Sequence, residues 1–380
     1  MKAIHGKIVY TGEDRLQDAY IVFNGRQIAD VADRPRGEVL GSYAVITPAF
    51  IDPHSHIGLH RAGEPGDEAE SNDRMDSMQA LPDALDSVQM DDAAFRDAIE
   101  AGVLYSCVMP GSGNIVGGQA AVIRHYGADT TEALVARAGI KAAFGYNPRS
   151  TVEWKGTRPT TRMGAAALLR SKLDEVQRKM HCYRNASEEK RREMTFSYEE
   201  DIYRRLLERR LRLRAHVHKI DDIAALLRLT DEFRLDVSVE HAGDVHRPEI
   251  FRALARRNIP VVYGPVDSFA YKVELRNENW RNIRLLVESG VEFGLMTDHP
   301  VVLCRQLFLQ TRWFLRCGLS RRQAIALVSR NNAGILGIDR ILGSLRAERW
   351  ASFVCWNGDP FDLGSYPVAV FGEGKRIFSE

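Results

Sequence analysis

Ala49-Phe50-Ile51-Asp52-Pro53-His54-Ser55-His56 is a short apolar run that ends in two histidines spaced two apart. On a β-strand alternate side chains project to the same face, so His54 and His56 leave one strand end together. Two imidazoles so placed grip one metal ion, whereas the same pair in an arbitrary loop is a chance spacing. The context favours a strand: Pro48 and Pro53 bracket it, and further His and Asp residues close later apolar runs.

Working outward, residues 48–340 alternate strand-like and helix-like stretches, the pattern of a parallel sheet with crossover helices. Strands are expected at Ala49 to Asp52, Val103 to Met109, Ile140 to Gly145, Leu211 to Val217, Leu235 to Glu240, Ile259 to Tyr263 and Val291 to Thr297, with an eighth near Ala120 to Arg124. Eight such units close most simply as an α/β fold of the (β/α)8 TIM type, which gathers chemistry at the C-terminal strand ends. The two chain ends differ from this middle. Lys7 to Tyr10, Ala19 to Phe23 and Gln27 to Val31, with Asn24-Gly25 as a hairpin signal, match in texture Ala351 to Trp356 and Val368 to Phe371. Residues 1–47 and 341–380 are therefore expected to form one small β-sandwich domain beside the barrel of residues 48–340.

Lysine plus arginine numbers 52 and aspartate plus glutamate 51, so the net charge of +1 offers no bulk attraction to nucleic acid or to an anionic membrane. The charged stretch from 162 to 212 interleaves both signs and is expected to give solvated helix faces. Five scattered cysteines without a C-x-x-C pair, no signal-peptide core and no run of about 18 apolar residues predict a reduced, cytoplasmic protein. The expected partner is a small-molecule substrate, with no nucleic acid and no membrane, and homo-oligomerisation is compatible with this.

Three more strand ends carry candidate ligands. Leu213-Arg214-Ala215-His216-Val217-His218 offers His216 or His218, Val239-Glu240-His241 offers His241, and Leu295-Met296-Thr297-Asp298 offers Asp298. Singly, each is an ordinary loop residue or helix cap. Together with His54 and His56 they converge on one barrel rim, and imidazole with carboxylate suits Zn²⁺ and similar divalent ions. The glycine-rich run Pro110 to Gln119 follows another strand; Gly111, Ser112 and Asn114 either line an anion-binding nest for a substrate carboxylate or make a tight turn. Lys272, after Gly264-Pro265, is a further candidate for holding substrate.

These pieces, with Thr297-Asp298-His299-Pro300 and Gly337-Ile338, resemble the amidohydrolase superfamily, and within it the imidazolonepropionase-related branch. The resemblance implies a metal-dependent hydrolase acting on a C–N bond of an amide, cyclic amide or amidine. It implies His54, His56, His216, His241 and Asp298 as metal ligands, Asp298 as catalytic proton shuttle, and His218 facing substrate. Zinc is the first expectation, with iron or manganese as alternatives. Tyr146 stands in Gly145-Tyr146-Asn147-Pro148 where relatives carry an acid, Asn332 where they carry proline, and no lysine stands out as a carboxylated bridge. One ion is therefore expected. The alternative is a catalytically altered homologue that binds a ligand or partner.

Overall fold

The computed structural model describes residues 1–380 except residue 271. At the N-terminus β1 (Lys2–Tyr10), β2 (Arg15–Asn24), β3 (Gln27–Ala32) and β4 (Glu38–Pro48) precede the barrel. The barrel strands are β5 (Phe50–Ser55), β6 (Val103–Val108), β7 (Val116–Arg124), β8 (Leu134–Ala143), β9 (Leu213–Val217), β10 (Val237–His241), β11 (Val261–Tyr263) and β12 (Phe293–Leu295). The chain then returns through β13 (Phe353–Trp356), β14 (Pro367–Gly372) and β15 (Lys375–Ser379).

The terminal strands form one seven-stranded sheet in the order β15-β14-β13-β4-β1-β2-β3. It wraps over its own core: Phe23 of β2 lies 5.9 Å from Phe353 of β13 and 6.3 Å from Phe371 of β14, ring centre to ring centre. A continuous sheet folded this way gives the two layers of a β-sandwich. The Asn24-Gly25 signal is realised as a two-residue turn, with Asn24 opposite Gln27 and Gly25 at φ +56°.

The barrel sheet runs β12-β11-β10-β9-β8-β7-β6-β5. Its eighth strand, β7, is longer than the expected Ala120 to Arg124 and antiparallel to both neighbours. The links to it, residues 109–115 and 125–133, are too short for the crossover that a parallel pairing requires. The rest is the expected TIM-type α/β architecture. The charged stretch forms helices Arg162–Asn185, Glu188–Glu193 and Tyr198–Leu207. The first buries only a stripe of Ala165, Leu169, Leu173, Val176 and Met180, at three- and four-residue spacing, and pairs several of its charges with acids of neighbouring helices, Lys172 with Glu199 and Lys179 with Glu200 among them.

Strands β12 and β5 close the ring through side chains as well as backbone. Asn332 donates to the carbonyls of Ile51 (2.7 Å) and Leu295 (2.9 Å) and accepts from the Leu295 amide (3.2 Å). Asp52 accepts from the amide and hydroxyl of Thr297. Above them the Asp298 amide donates to the His54 carbonyl (3.1 Å) and the His56 amide to the His299 carbonyl (3.0 Å). A Cβ at Gly294 would run into Asn332 Oδ1, so the staple needs both residues. The departure at Asn332 thus has a structural purpose. Asn332→Ala leaves buried backbone groups of both strands without partners, and a loss of about 1–3 kcal/mol is expected in urea denaturation; an unchanged midpoint would mean the seam closes without it.

Candidate metal centre

The inward positions of three barrel strands are polar. Lys141 of β8 is in register with Arg214 of β9, which is in register with Ser238 of β10; two residues on, His216 is in register with Glu240. Strand alternation explains this: Leu213, Ala215 and Val217 face the helices while Arg214 and His216 face the interior. His54, His56, His216, His218, His241 and Asp298 are all buried there. His56 Nε2 lies 3.2 Å and His54 Nε2 3.5 Å from the same Asp298 oxygen. His241 stacks edgewise on His216 at 4.3 Å and on His54 at 5.0 Å, and lies 4.6 Å from His218. Two triplets bring ligand atoms within 4.8 Å of one another: His216, His218 and His241, and His54, His241 and Asp298.

Most of these rings are oriented from behind. His54 Nδ1 faces Glu240 (3.0 Å), His56 Nδ1 the Met109 carbonyl (2.7 Å) and His241 Nδ1 the Gly264 carbonyl (3.0 Å). His216 Nε2 meets the side-chain amide of Asn147 (3.2 Å), which also reaches the Ser112 hydroxyl (2.6 Å). The inward nitrogens, His241 Nε2, His216 Nδ1 and both of His218, are buried without a hydrogen-bond partner. Such groups are costly unless something binds them. A divalent cation fits this set: neutral imidazoles, one carboxylate, and acceptors behind His54, His56 and His241 that take the Nδ1 proton and leave Nε2 its lone pair.

Burial holds His54, His216 and His241 well below the usual imidazole range, and His218 down to about 3. Burial alone would raise Asp298, but His241, a hydrogen bond from His56 and the charge of Lys141 outweigh it and hold the carboxyl below the usual range. Burial pushes Asp52 up to about 7 against its bonds from Thr297 and His54.

Lys141 is the residue that corrects the sequence reading. It is 1% exposed, its Nζ lies 3.1 Å from His54 Nε2, and burial lowers its amine to about 8. A lone charge inside the apolar stretch Ile140-Lys141-Ala142-Ala143 was the available signal. Among the expected substrate-binding residues, His218 is in the ring of imidazoles and Ser112 stands behind it through Asn147. Lys272 is close enough for its charge to act on His216, His218 and His241. Asn114 instead ties loops together, bonding the Asp73 carbonyl and Arg158. The Gly111 and Gly113 amides are taken by Ser71 and Asn72, which removes two donors from the anion nest and favours the tight turn.

The model of the amidohydrolase family matches residues 161–377, more than half of the chain, and the chain belongs to that family. It is 26% identical over 357 residues, 88% of its length, to Amidohydrolase tasK of Hapsidospora irregularis, and it spans 36% of that protein. An amidohydrolase structure from Thermotoga maritima MSB8 superposes with a TM-score of 0.93 at 28% identity, over 100% of both chains. A prolidase solved with N-methylphosphonate-L-proline shares the fold at a TM-score of 0.63 and 16% identity, again over 100% of both. Among the described residues, no helix is long and apolar enough to cross a membrane.

The buried neutral histidines make stability depend on pH. The unfolded chain protonates near pH 6.5 and the folded one resists it, so this stability is present above about pH 6.5 and is lost as pH falls. For His218 and His125, the latter also lowered to about 3 by burial, the loss extends down to about 3. Asp52, raised by burial to about 7, works the other way between about pH 7 and 4, but several histidines outweigh one carboxyl, so the urea midpoint of metal-free protein is expected to fall from about pH 7 to about pH 4; a midpoint that stays flat in an Asp52→Asn variant would show that these rings take up protons in the folded state.

Proposed function

We propose that this protein is a metal-dependent hydrolase of a C–N bond in a small molecule: an amide, cyclic amide or amidine. One observation carries the reading, the set of buried imidazole nitrogens on His216, His218 and His241 that have no protein partner, beside a second group in which His241 meets His54 and Asp298. His54, His56, His216, His241 and Asp298 would hold the ion, with zinc first and iron or manganese as alternatives. Bound there, a divalent ion supplies a Lewis acid and makes hydroxide available near neutral pH.

The chain's own groups carry the rest. Asp298, held ionised, accepts a proton from the attacking water at a carboxylate oxygen and returns it to the leaving nitrogen. His218, with both nitrogens unpartnered, hydrogen-bonds the substrate. Lys272 offers a positive charge to a substrate carboxylate. A cavity of about 230 Å³, lined by His60, His299, Pro300 and Leu303, adjoins the site where the His60 ring lies 6.2 Å from that of His56, and gives room for a substituent. The free cysteines fit a cytoplasmic setting. Placement near the imidazolonepropionase-related branch rests on the strand-end motifs.

Lys141 favours a second reading of the metal count. An amine facing metal ligands is the group that carbon dioxide converts to a carbamate, an anionic oxygen ligand that two ions can share. His241 belongs to both triplets, and with its Nδ1 on the Gly264 carbonyl it has one lone pair to give, at Nε2, so two ions would need such a further ligand. The non-hydrolytic alternative rests on Tyr146, and the partnerless nitrogens weigh against it.

Protein purified without added metal is expected to contain zinc, iron or manganese. Less than about 0.2 equivalents, with no recovery on reconstitution, would overturn the hydrolase reading. Asp298→Asn should retain metal while lowering kcat by about 10²–10⁴-fold, measured on whichever cyclic amide, N-acyl amino acid or dipeptide a substrate screen selects; full activity would remove its shuttle role. Lys141→Met should bring a two-ion centre to one by elemental analysis, whereas a wild-type count of one supports the single-ion site.

A further inference from the structure

Arg214 lies wholly inside the barrel, fully buried on β9 and two residues before His216. Its Nη2 donates to the Pro53 carbonyl (2.8 Å) and lies 3.2 and 3.4 Å from the two oxygens of Glu240. Glu240 is fully buried as well. One of its oxygens accepts from the Ser238 hydroxyl (2.5 Å) and the other faces His54 Nδ1 at 3.0 Å. One guanidinium therefore holds His54 from two sides, through the carboxylate that meets its ring and through the peptide group that precedes it.

The chemistry of this chain has a direction. A carboxylate paired with an arginine only accepts hydrogen bonds, so the proton between Glu240 and His54 belongs to His54 Nδ1. His54 Nε2 then presents its lone pair to Lys141 Nζ, 3.1 Å away, on the side where His56 and Asp298 converge, so Lys141 favours the same tautomer from the front that Arg214 sets from behind. Without Arg214, nothing would tie the Glu240 carboxylate and the Pro53 carbonyl to one rigid group, and both would be free to shift relative to the His54 ring. A buried ion pair is weak evidence for stability, and apolar residues of similar volume would serve packing as well. The contacts to Pro53 and, through Glu240, to the His54 ring are what packing does not explain.

We propose that Arg214 is a positioning residue of the metal centre: acting through Glu240 and the Pro53 carbonyl, it fixes His54 as the Nδ1–H tautomer with Nε2 aimed into the site. The proposal rests on the reading of His54 as a metal ligand, but its first test needs neither metal nor turnover.

The experiment is a long-range ¹H–¹⁵N correlation of the imidazoles in metal-depleted protein labelled with ¹⁵N-histidine at about pH 8, with His54 assigned from His54→Gln. Wild-type His54 is expected as the Nδ1–H form, and a proton on Nε2, or an even mixture, overturns the proposal with no variant required to fold. The variants are Arg214→Met and the double change Arg214→Met with Glu240→Gln, which removes both buried charges together. Each is expected to spread His54 over both tautomers and to weaken zinc binding about 10–100-fold, with the fold retained by circular dichroism. A folded double variant with wild-type tautomer and a zinc Kd within about twofold, against that expected loss, also overturns it. Absence of turnover in a protein whose His54 shows the Nδ1–H form counts against the hydrolase reading and leaves this one standing.

Discussion

The site depends on closing the barrel between its last strand and its first. Asp298 lies at the end of β12, and His54 and His56 at the end of β5, the two edges of the barrel sheet. Asn332 and Asp52 pin those edges together from the side, and the Asp298 and His56 amides complete the join at the rim. Buried backbone groups that lack a ladder partner must find one elsewhere, and here side chains supply it. The same closure carries Asp298 to within 3.5 Å of both His54 and His56 nitrogens. Architecture and chemistry therefore share one set of hydrogen bonds.

Inside the closed ring the polar groups form two shells. The outer shell, Glu240, Asn147 and the carbonyls of Met109 and Gly264, is spent on orienting imidazoles. The inner nitrogens of His216, His218 and His241 are left without partners. Low local dielectric makes a partly satisfied interior of this kind expensive, and a bound cation is the simplest group that repays it. Arg214 and Lys141 add two buried cations to the same interior, balanced by Glu240 and Asp298. The candidate metal centre thus rests on a charge pattern that extends one layer below the converging histidines.

Much of this was visible in the chain. His54-Ser55-His56, the His216–His218 pair, His241 and Asp298 each close an apolar run, and the expected parallel barrel puts such strand ends on one rim. Lys141 was missed because a single lysine in an apolar strand reads the same whether it snorkels to the surface or points inward. Only its register with Arg214, more than seventy residues later, settles that. Arg214 and Glu240 sat beside the recognised histidines and passed as ordinary strand residues. The antiparallel β7 was hidden for a simpler reason: strand direction depends on connection length, and the glycine-rich link to it was read for its chemistry.

The sequence by itself determined the class of fold, the β-rich ends, and the residue types that can hold a metal, because these follow from local periodicity and from the donor atoms each side chain carries. The tertiary structure decided which of those donors meet, which ring nitrogen each histidine turns inward, and that Asn332 staples the seam. Those outcomes depend on register between strands far apart in the chain, and pairing at that distance leaves no periodic trace in the sequence.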